Sequence, residues 1–150
     1  MGARRLKSKT PFDTSSLEGP PEPLVFYIDE CLGKGVGEAL QQAGADVRLP
    51  EGFVARGTRD EEWLARIGRQ KWIVLTKDKN IRLHRYEREA LIRAGVKAFV
   101  LTSGNLTGAE MAQVFVRNLV KMQRLVRETD HAFIAKVTRA DVVMLYERMG

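Results

Sequence analysis

Carboxylates stand at the ends of two strongly apolar segments of this 150-residue chain. Asp29 directly follows the run Leu24–Ile28, and Asp78 stands two residues after the run Trp72–Thr76. Each run has the composition of a strand that is buried on both faces. Parallel strands bring their carboxyl ends to one edge of a sheet, where ligands bind. We therefore expect Asp29 and Asp78 to lie at the same edge of a parallel sheet.

A third aspartate, Asp60, lies between these two runs, at the start of a predicted helix. Clustered carboxylates lose solvation and repel one another, and a divalent cation relieves both effects. Mg²⁺ and Mn²⁺ take oxygen ligands, commonly one or two carboxylates together with water and phosphate oxygens. Such an ion activates water and stabilises charge at a phosphorus centre. The sequence thus predicts a metal site for phosphodiester chemistry at Asp29, Asp60 and Asp78.

Structural interpretations of the same acids stay open at this point. Asp60 and Glu61 also complement the dipole of a helix N-terminus, and Glu61 completes a capping box with Thr58. Asp78 could cap the helix that follows it. Asp29, which ends an apolar strand, has no capping role of this kind. Taken together at one sheet edge, beside a basic segment, the three acids favour a metal site.

Basic side chains cluster around the last of these acids. The chain carries a formal net charge of +6, which favours a polyanionic partner. Lys77, Arg82 and Arg85 stand close to Asp78 in the sequence, and we expect them to contact the phosphates of a nucleic acid. The alternative is a solvated helix face on which the arginines pair with neighbouring glutamates.

The remaining pattern predicts alternating strands and helices. The predicted strands are Leu24–Ile28, Asp46–Leu49, Trp72–Thr76, Val96–Leu101 and a final hairpin of Phe133–Val137 and Val142–Tyr146. The predicted helices are Gly33–Ala43, Thr58–Arg69, Arg82–Ala94 and Thr107–Arg127. This order predicts a three-layer α/β/α fold with a mainly parallel central sheet, helices on both faces and a C-terminal hairpin.

Two further features of the pattern concern the core and the domain limits. The longest predicted helix carries an apolar stripe that we assign to the core: Met111, Phe115, Leu119, Met122 and Val126. Residues 1–23 are rich in proline, serine and threonine and are predicted to form a flexible tail. The domain itself is predicted to span residues 24–150.

Composition excludes several classes of protein. The single cysteine, Cys31, rules out an internal disulfide, and two histidines with one cysteine cannot complete a Cys/His zinc site. No window approaches the ~18 apolar residues that cross a bilayer. No apolar stretch follows the basic N-terminus, so a secretory signal is not expected. We expect a cytoplasmic protein in which Cys31 is a small buried side chain.

Three segments carry the acids: Phe26-Tyr27-Ile28-Asp29-Glu30, Gly57-Thr58-Arg59-Asp60-Glu61-Glu62-Trp63-Leu64, and Trp72-Ile73-Val74-Leu75-Thr76-Lys77-Asp78-Lys79-Asn80-Ile81-Arg82. In combination they resemble the PIN-like domains found as toxins of the VapC type, over about residues 24–137. The resemblance implies an α/β/α fold, cleavage of RNA that depends on Mg²⁺ or Mn²⁺, and inhibition by a cognate antitoxin. It also points to a homodimer.

By position, the resemblance implies that the metal ligands are Asp29, Asp60 and Asp78, and that Glu30 and Glu61 neighbour them in the catalytic site. Many relatives have a further acid just after the third aspartate. Lys79 and Asn80 stand there in this chain, so the resemblance does not support a site of four acids.

We therefore predict a metal-dependent endoribonuclease, the toxin of a toxin–antitoxin pair. One alternative is a module that binds nucleic acid but has lost the chemistry, and metal binding separates it from the nuclease. A second alternative is a phosphotransfer domain in which Asp29 accepts a phosphoryl group, and incubation with a small phosphodonor tests it.

Overall fold

The computed structural model describes residues 23–50 and 60–148, and within these ranges it leaves out the side chains of Asp60, Glu61 and Arg82. The loop predicted for residues 51–57, the cap at Thr58 and nearly all of the predicted tail lie outside the described residues. The statements below concern the described part of the chain.

Six strands, six α-helices and one 3-10 turn make up this part. In chain order they are β1 (Val25–Ile28), the 3-10 turn Glu30–Leu32, α1 (Lys34–Gln42), β2 (Asp46–Arg48), α2 (Asp60–Gln70), β3 (Ile73–Thr76), α3 (Asn80–Leu83), α4 (Arg85–Arg93), β4 (Lys97–Leu101), α5 (Gly108–Arg117), α6 (Leu119–Glu128), β5 (Phe133–Val137) and β6 (Val142–Glu147). Each predicted strand is present within one or two residues of its predicted limits.

The strands form one sheet in the order β2-β1-β3-β4-β5-β6. The first five strands are mutually parallel, and only β6 runs antiparallel to its neighbour. The chain leaves β1 towards β2 and then returns to the other side of β1 to form β3. The strand order therefore reverses between β1 and β3, which is where open α/β sheets bind their ligands.

Side chains that alternate along the strands belong to two apolar layers, one on each face of the sheet. Phe26, Leu75 and Phe99 pack with α1, α5 and α6 on one face. Tyr27 and Val74 pack with α2, α3 and α4 on the other. The predicted three-layer α/β/α fold with a mainly parallel sheet and a C-terminal hairpin is confirmed.

The prediction of a single long helix from Thr107 to Arg127 is wrong, because the helix is interrupted at Asn118. The stripe assigned to the core is buried as expected. The buried Asn118 side chain donates hydrogen bonds to the carbonyls of Val114 (2.9 Å) and Thr138 (3.0 Å). Its backbone (φ −96°, ψ 5°) leaves the helical range. The apolar period continues across this residue, so the pattern alone does not reveal the break.

The helix predicted from Arg82 to Ala94 is also two helices. His84 has an extended backbone (φ −96°, ψ 114°) between α3 and α4. Ile81 is buried in α3 and Leu91 in α4. The extended residue ends α3 before α4 begins, and both helices contribute to the same apolar layer. Arg82 and Arg85 therefore belong to different helices and not to the one continuous helix that the sequence had suggested.

Two local features complete the fold. A capping box opens α5: the Thr107 hydroxyl accepts from the Glu110 N–H (3.1 Å), and the Glu110 carboxylate accepts from the Thr107 N–H (2.8 Å). Among the helices that the structure describes, none is long and apolar enough to span a bilayer.

Candidate metal centre

Asp29 lies at the carboxyl end of β1, where the sequence placed it. Its backbone N–H donates to the carbonyl of Leu75 (2.9 Å), which extends the pairing of β1 with β3 by one residue. Asp29 precedes the 3-10 turn but makes no capping hydrogen bond through its side chain. The structural alternative of a helix cap therefore does not account for this carboxylate.

The Thr76 hydroxyl holds the Asp29 carboxylate in place. Thr76 is the last residue of β3 and is 0% exposed. Its Oγ1 donates to Asp29 Oδ2 at 2.6 Å and accepts from the Asp78 N–H at 3.0 Å. One buried hydroxyl thus connects the carboxylate at the end of β1 with the backbone of Asp78 just after β3.

Asp78 has a local structural role as well as a place at the site. Its Oδ1 accepts from the Asn80 N–H (2.9 Å), at the start of α3. The expected interaction with the following helix is therefore real, although it uses only one oxygen. Asp78 Oδ2 and Asp29 Oδ1 make no hydrogen bond with any residue that the structure describes. Each aspartate thus keeps one oxygen for an exogenous ligand.

An open cleft of about 600 Å³ surrounds these carboxylates. It is lined by three acids, two lysines and the cysteine: Asp29, Glu30, Asp78, Lys77, Lys79 and Cys31. In the described part of the chain, none of these acids forms an ion pair with a basic side chain within 4 Å. No basic side chain in this part of the chain therefore neutralises the acids at contact distance. Carboxylate oxygens of this kind suit a hard divalent cation.

Cys31 does not occupy the buried position that the sequence suggested. The residue is exposed, because it belongs to the 3-10 turn at the rim of the cleft and does not continue the strand. Its Sγ lies 3.3 Å from Asp29 Oδ2 and 3.4 Å from Thr76 Oγ1. Partial burial of the sulfur raises the pKa of the thiol above its usual value.

Asp60 is the first residue of α2, and a contact of this helix brings it towards the same edge. Trp63, one turn further along, donates from Nε1 to the Tyr27 hydroxyl (3.1 Å), and Tyr27 precedes Asp29 by two residues. Burial raises the pKa of Tyr27, and the nearby carboxylates of Asp29 and Glu30 add to that rise. The first turn of α2 is thus fixed over the end of β1, although the side chain of Asp60 itself is not described.

The carboxylates of the described residues do not complete a metal site by themselves. Within residues 23–50 and 60–148, no three His, Cys, Asp or Glu side chains come close enough together to hold an ion. The structure brings Asp29 and Asp78 to one cleft with Glu30. The remaining predicted members, Asp60 and Glu61, begin the helix that is anchored beside it. Convergence of the three aspartates stays a prediction.

The basic side chains that were predicted to contact phosphate differ in their surroundings. Lys77 lines the cleft, and Lys79 lines it too. Arg85 is exposed and binds Glu89 in the next helical turn (2.8 Å), which lowers the pKa of that glutamate. The pairing with a glutamate that the sequence left open is therefore realised. The side chain of Arg82 lies outside the described part.

No part in the predicted metal site was assigned to Thr76 from the sequence, although its hydroxyl bonds to both strand-end aspartates in the structure. The available signal was its position, since Thr76 is the one polar residue at the end of an otherwise apolar strand. A buried hydroxyl needs a hydrogen-bond partner, and the acids next to this strand end were the nearest candidates.

A family model described as "PIN like domain" matches residues 24–103 of the chain, which is more than half of it. The protein named "Putative ribonuclease VapC45" from Mycobacterium tuberculosis (strain ATCC 25618 / H37Rv) is 26% identical over 107 residues, covering 68% of this chain and 78% of that protein. No solved structure gives a significant match. The range of the family match contains Asp29, Asp60 and Asp78.

Proposed function

Because the chain belongs to the family of PIN-like domains, we propose that it is a metal-dependent endoribonuclease. The observation that carries the proposal is the pair of strand-end aspartates, Asp29 and Asp78, joined through the Thr76 hydroxyl in an open cleft. The cleft lies beside the point where the strand order reverses, which is the expected ligand position in this class of sheet.

The residues present fit Mg²⁺ or Mn²⁺. The ligands in this proposal are Asp29 through Oδ1, Asp78 through Oδ2, and Asp60 from the start of α2. When bound, the ion would lower the pKa of an attacking water and neutralise charge on the phosphodiester. Oxygen donors with free positions for water and phosphate match the preference of Mg²⁺. Glu30 and Glu61 neighbour these ligands in the proposed catalytic site.

The chain's own groups then have distinct tasks. The Thr76 hydroxyl fixes which oxygen of Asp29 faces the cleft. Lys77 and Lys79 offset the negative potential of the carboxylates, so that a phosphate can approach. Arg82 and Arg85 follow on the next two helices and are proposed to contact phosphates further along the strand.

RNA as the substrate and the biological role rest on the relative. A protein named as a VapC ribonuclease shares 26% identity with this chain over most of its length. By this similarity we propose that residues 24–150 act as the toxin of a toxin–antitoxin pair in the cytoplasm, with a cognate antitoxin as protein partner. A homodimer stays a prediction of the family resemblance.

The test is cleavage of single-stranded RNA in the presence of Mn²⁺ by the wild-type protein, Asp29→Asn and the control Asp130→Asn. Asp130 is fully exposed and precedes β5 at the opposite edge of the sheet. We expect Asp29→Asn to lose cleavage while its melting temperature stays equal or rises, because removing one of several clustered carboxylates relieves repulsion. The control should cleave like wild type. Equal cleavage by Asp29→Asn would remove the assigned role.

The alternative, a module that binds nucleic acid but does not cleave it, makes different predictions. The wild-type protein would bind RNA but would not cleave it. It would also bind Mn²⁺ no more tightly than Asp29→Asn does. Calorimetric titration of Mn²⁺ into both proteins separates the two proposals.

A further inference from the structure

The corner between α3 and α4, defined here as residues Leu83–Tyr86, turns four consecutive side chains outward. All four residues are exposed. Tyr86 is 69% and Leu83 is 57% exposed, and both are large side chains with apolar surface open to solvent. The extended backbone of His84 produces this arrangement, since it interrupts the helix between them.

The corner belongs to the same edge of the sheet as the cleft. Only Lys79 separates Asp78 from the start of α3, and Tyr86 is the second residue of α4. With a rise of 1.5 Å per helical residue and at most about 3.6 Å per extended residue, Tyr86 stands within about 22 Å of Asp78 along the chain. A single-stranded RNA with one phosphate in the cleft can therefore reach the corner within a few nucleotides.

Basic side chains are present both at the cleft and at the corner. Lys77 and Lys79 line the cleft, and Arg85 sits within the corner, bound to Glu89. Positive charge that follows a backbone, combined with exposed aromatic rings on which bases stack, is the usual construction of a site for single-stranded nucleic acid.

The size of the apolar surface distinguishes RNA from a protein partner. A stable protein interface covers about 800 Å² on each partner, and the two apolar side chains of the corner are far smaller than this. One exposed ring matches the flat face of a single base. The charge of the neighbouring lysines also suits a polyanion.

We infer that the corner is a base-binding subsite, in which one unpaired base of the RNA stacks on the exposed ring of Tyr86 while the neighbouring phosphates pass Lys79 towards the cleft. The inference rests on the proposed ribonuclease function. It adds the path that the RNA takes beyond the scissile phosphate. The subsite is tolerant of base identity, because every base has a π-face.

The experiment measures affinity for a short single-stranded RNA in the Asp29→Asn background, which prevents cutting during the measurement. Tyr86→Ala should bind about 5- to 150-fold more weakly, the range for loss of one base–aromatic stack of about 1–3 kcal/mol. Tyr86→Phe should bind like the reference, and Tyr86→Leu should bind like Tyr86→Ala, because stacking needs the flat ring. Val120→Ala is the matched control, since Val120 is 64% exposed on the other face of the sheet.

A second substrate identifies the contact as stacking. The same RNA with an abasic nucleotide placed at each position in turn should bind the reference protein more weakly at one position only. At that position Tyr86→Ala should show no further loss. Cross-linking of RNA that carries 5-iodouridine there should label Tyr86, as read by mass spectrometry.

Several outcomes overturn the inference. Unchanged affinity of Tyr86→Ala, or equal losses for Tyr86→Ala with intact and abasic RNA, would show that no base stacks on this ring. Loss of self-association by Tyr86→Ala without loss of RNA affinity would make the corner a contact between copies of the chain. If the reference protein binds no RNA, the proposed function fails along with the subsite; if RNA binding and Asp29-dependent cleavage persist without these effects, only the subsite fails.

Discussion

The hydroxyl of Thr76 connects the two aspartates at the level of single atoms. It donates to Asp29 Oδ2 and accepts from the backbone of Asp78, while it is fully buried. Groups that orient metal ligands in this way affect metal affinity although they do not touch the ion.

Thr76→Val should therefore weaken Mn²⁺ binding or RNA cleavage by about 10- to 100-fold. The free energy of unfolding should fall by about 1–3 kcal/mol, because the buried N–H of Asp78 loses its acceptor. Thr76→Ser keeps the hydroxyl and should retain most of both properties. Titration with Mn²⁺ and urea unfolding of the three proteins check this. Normal Mn²⁺ affinity in Thr76→Val would show that the hydroxyl does not position Asp29.

At this scale, the sequence predicts where the strand-end acids lie but not how they are held. Asp29 and Asp78 follow apolar runs, and the parallel sheet brings both to the cleft. The bond from Thr76 depends on the register of β1 against β3, which no spacing within one segment reveals. Cys31 was misjudged because its burial was inferred from the residue type, whereas it lies in an exposed 3-10 turn after the strand.

At the scale of elements, breaks in helices decide what is exposed. Asn118 separates α5 from α6 by bonding across to the turn that joins β5 and β6. His84 separates α3 from α4 and creates the corner. Both breaks depend on contacts or directions set by distant parts of the chain, whereas local apolar spacing continues through them.

Asn118→Ala should lower the free energy of unfolding by about 1–3 kcal/mol, because the buried carbonyl of Val114 and the partly buried carbonyl of Thr138 both lose this side-chain donor. Gln113→Ala, at an exposed position of α5, is the control and should stay within about 0.5 kcal/mol of wild type. Urea unfolding measures both. A change in Asn118→Ala no larger than in the control would mean that the side-chain bonds at the break contribute little.

The capping box of α5 should produce a pH dependence. Hydrogen bonds from Thr107 lower the pKa of Glu110 in the folded protein. The stabilisation from this carboxylate is therefore present above the pKa of an unfolded glutamate, and it disappears as pH falls through the lower pKa of the folded state. The difference in unfolding free energy between wild type and Glu110→Ala should be largest near pH 7 and shrink towards pH 3. A difference that stays constant over this range would contradict the assigned role.

For the whole molecule, the fold concentrates opposite charges at one edge of the sheet. The acids and Lys77 and Lys79 share the cleft, and the corner begins one turn beyond them. The alternation of strands and helices predicts this edge in advance, because parallel strands all end on the same side. It does not predict which cations turn towards it: Lys77 and Lys79 line the cleft, whereas Arg85 binds Glu89.

The salt dependence of RNA binding tests these cations. Each phosphate contact contributes a slope of about −0.7 in log affinity against log salt for single strands. The double variant Lys77→Ala, Lys79→Ala should flatten the slope by about 1.4 and weaken binding for all sequences. Arg69→Ala, Arg127→Ala removes the same charge from helix ends away from the cleft and should leave the slope unchanged. Equal slopes in both double variants would place the RNA elsewhere on the surface.

A crystal structure of the protein soaked in Mn²⁺, with the ion located by its anomalous scattering, tests the central claim most directly. The account predicts one ion in the cleft, held by Asp29 Oδ1, Asp78 Oδ2 and a carboxylate oxygen of Asp60, at about 2.0–2.2 Å from each. An empty cleft at saturating Mn²⁺, with the three carboxylates more than about 8 Å apart, would contradict it, because neither one ion nor a two-metal pair could bridge that separation.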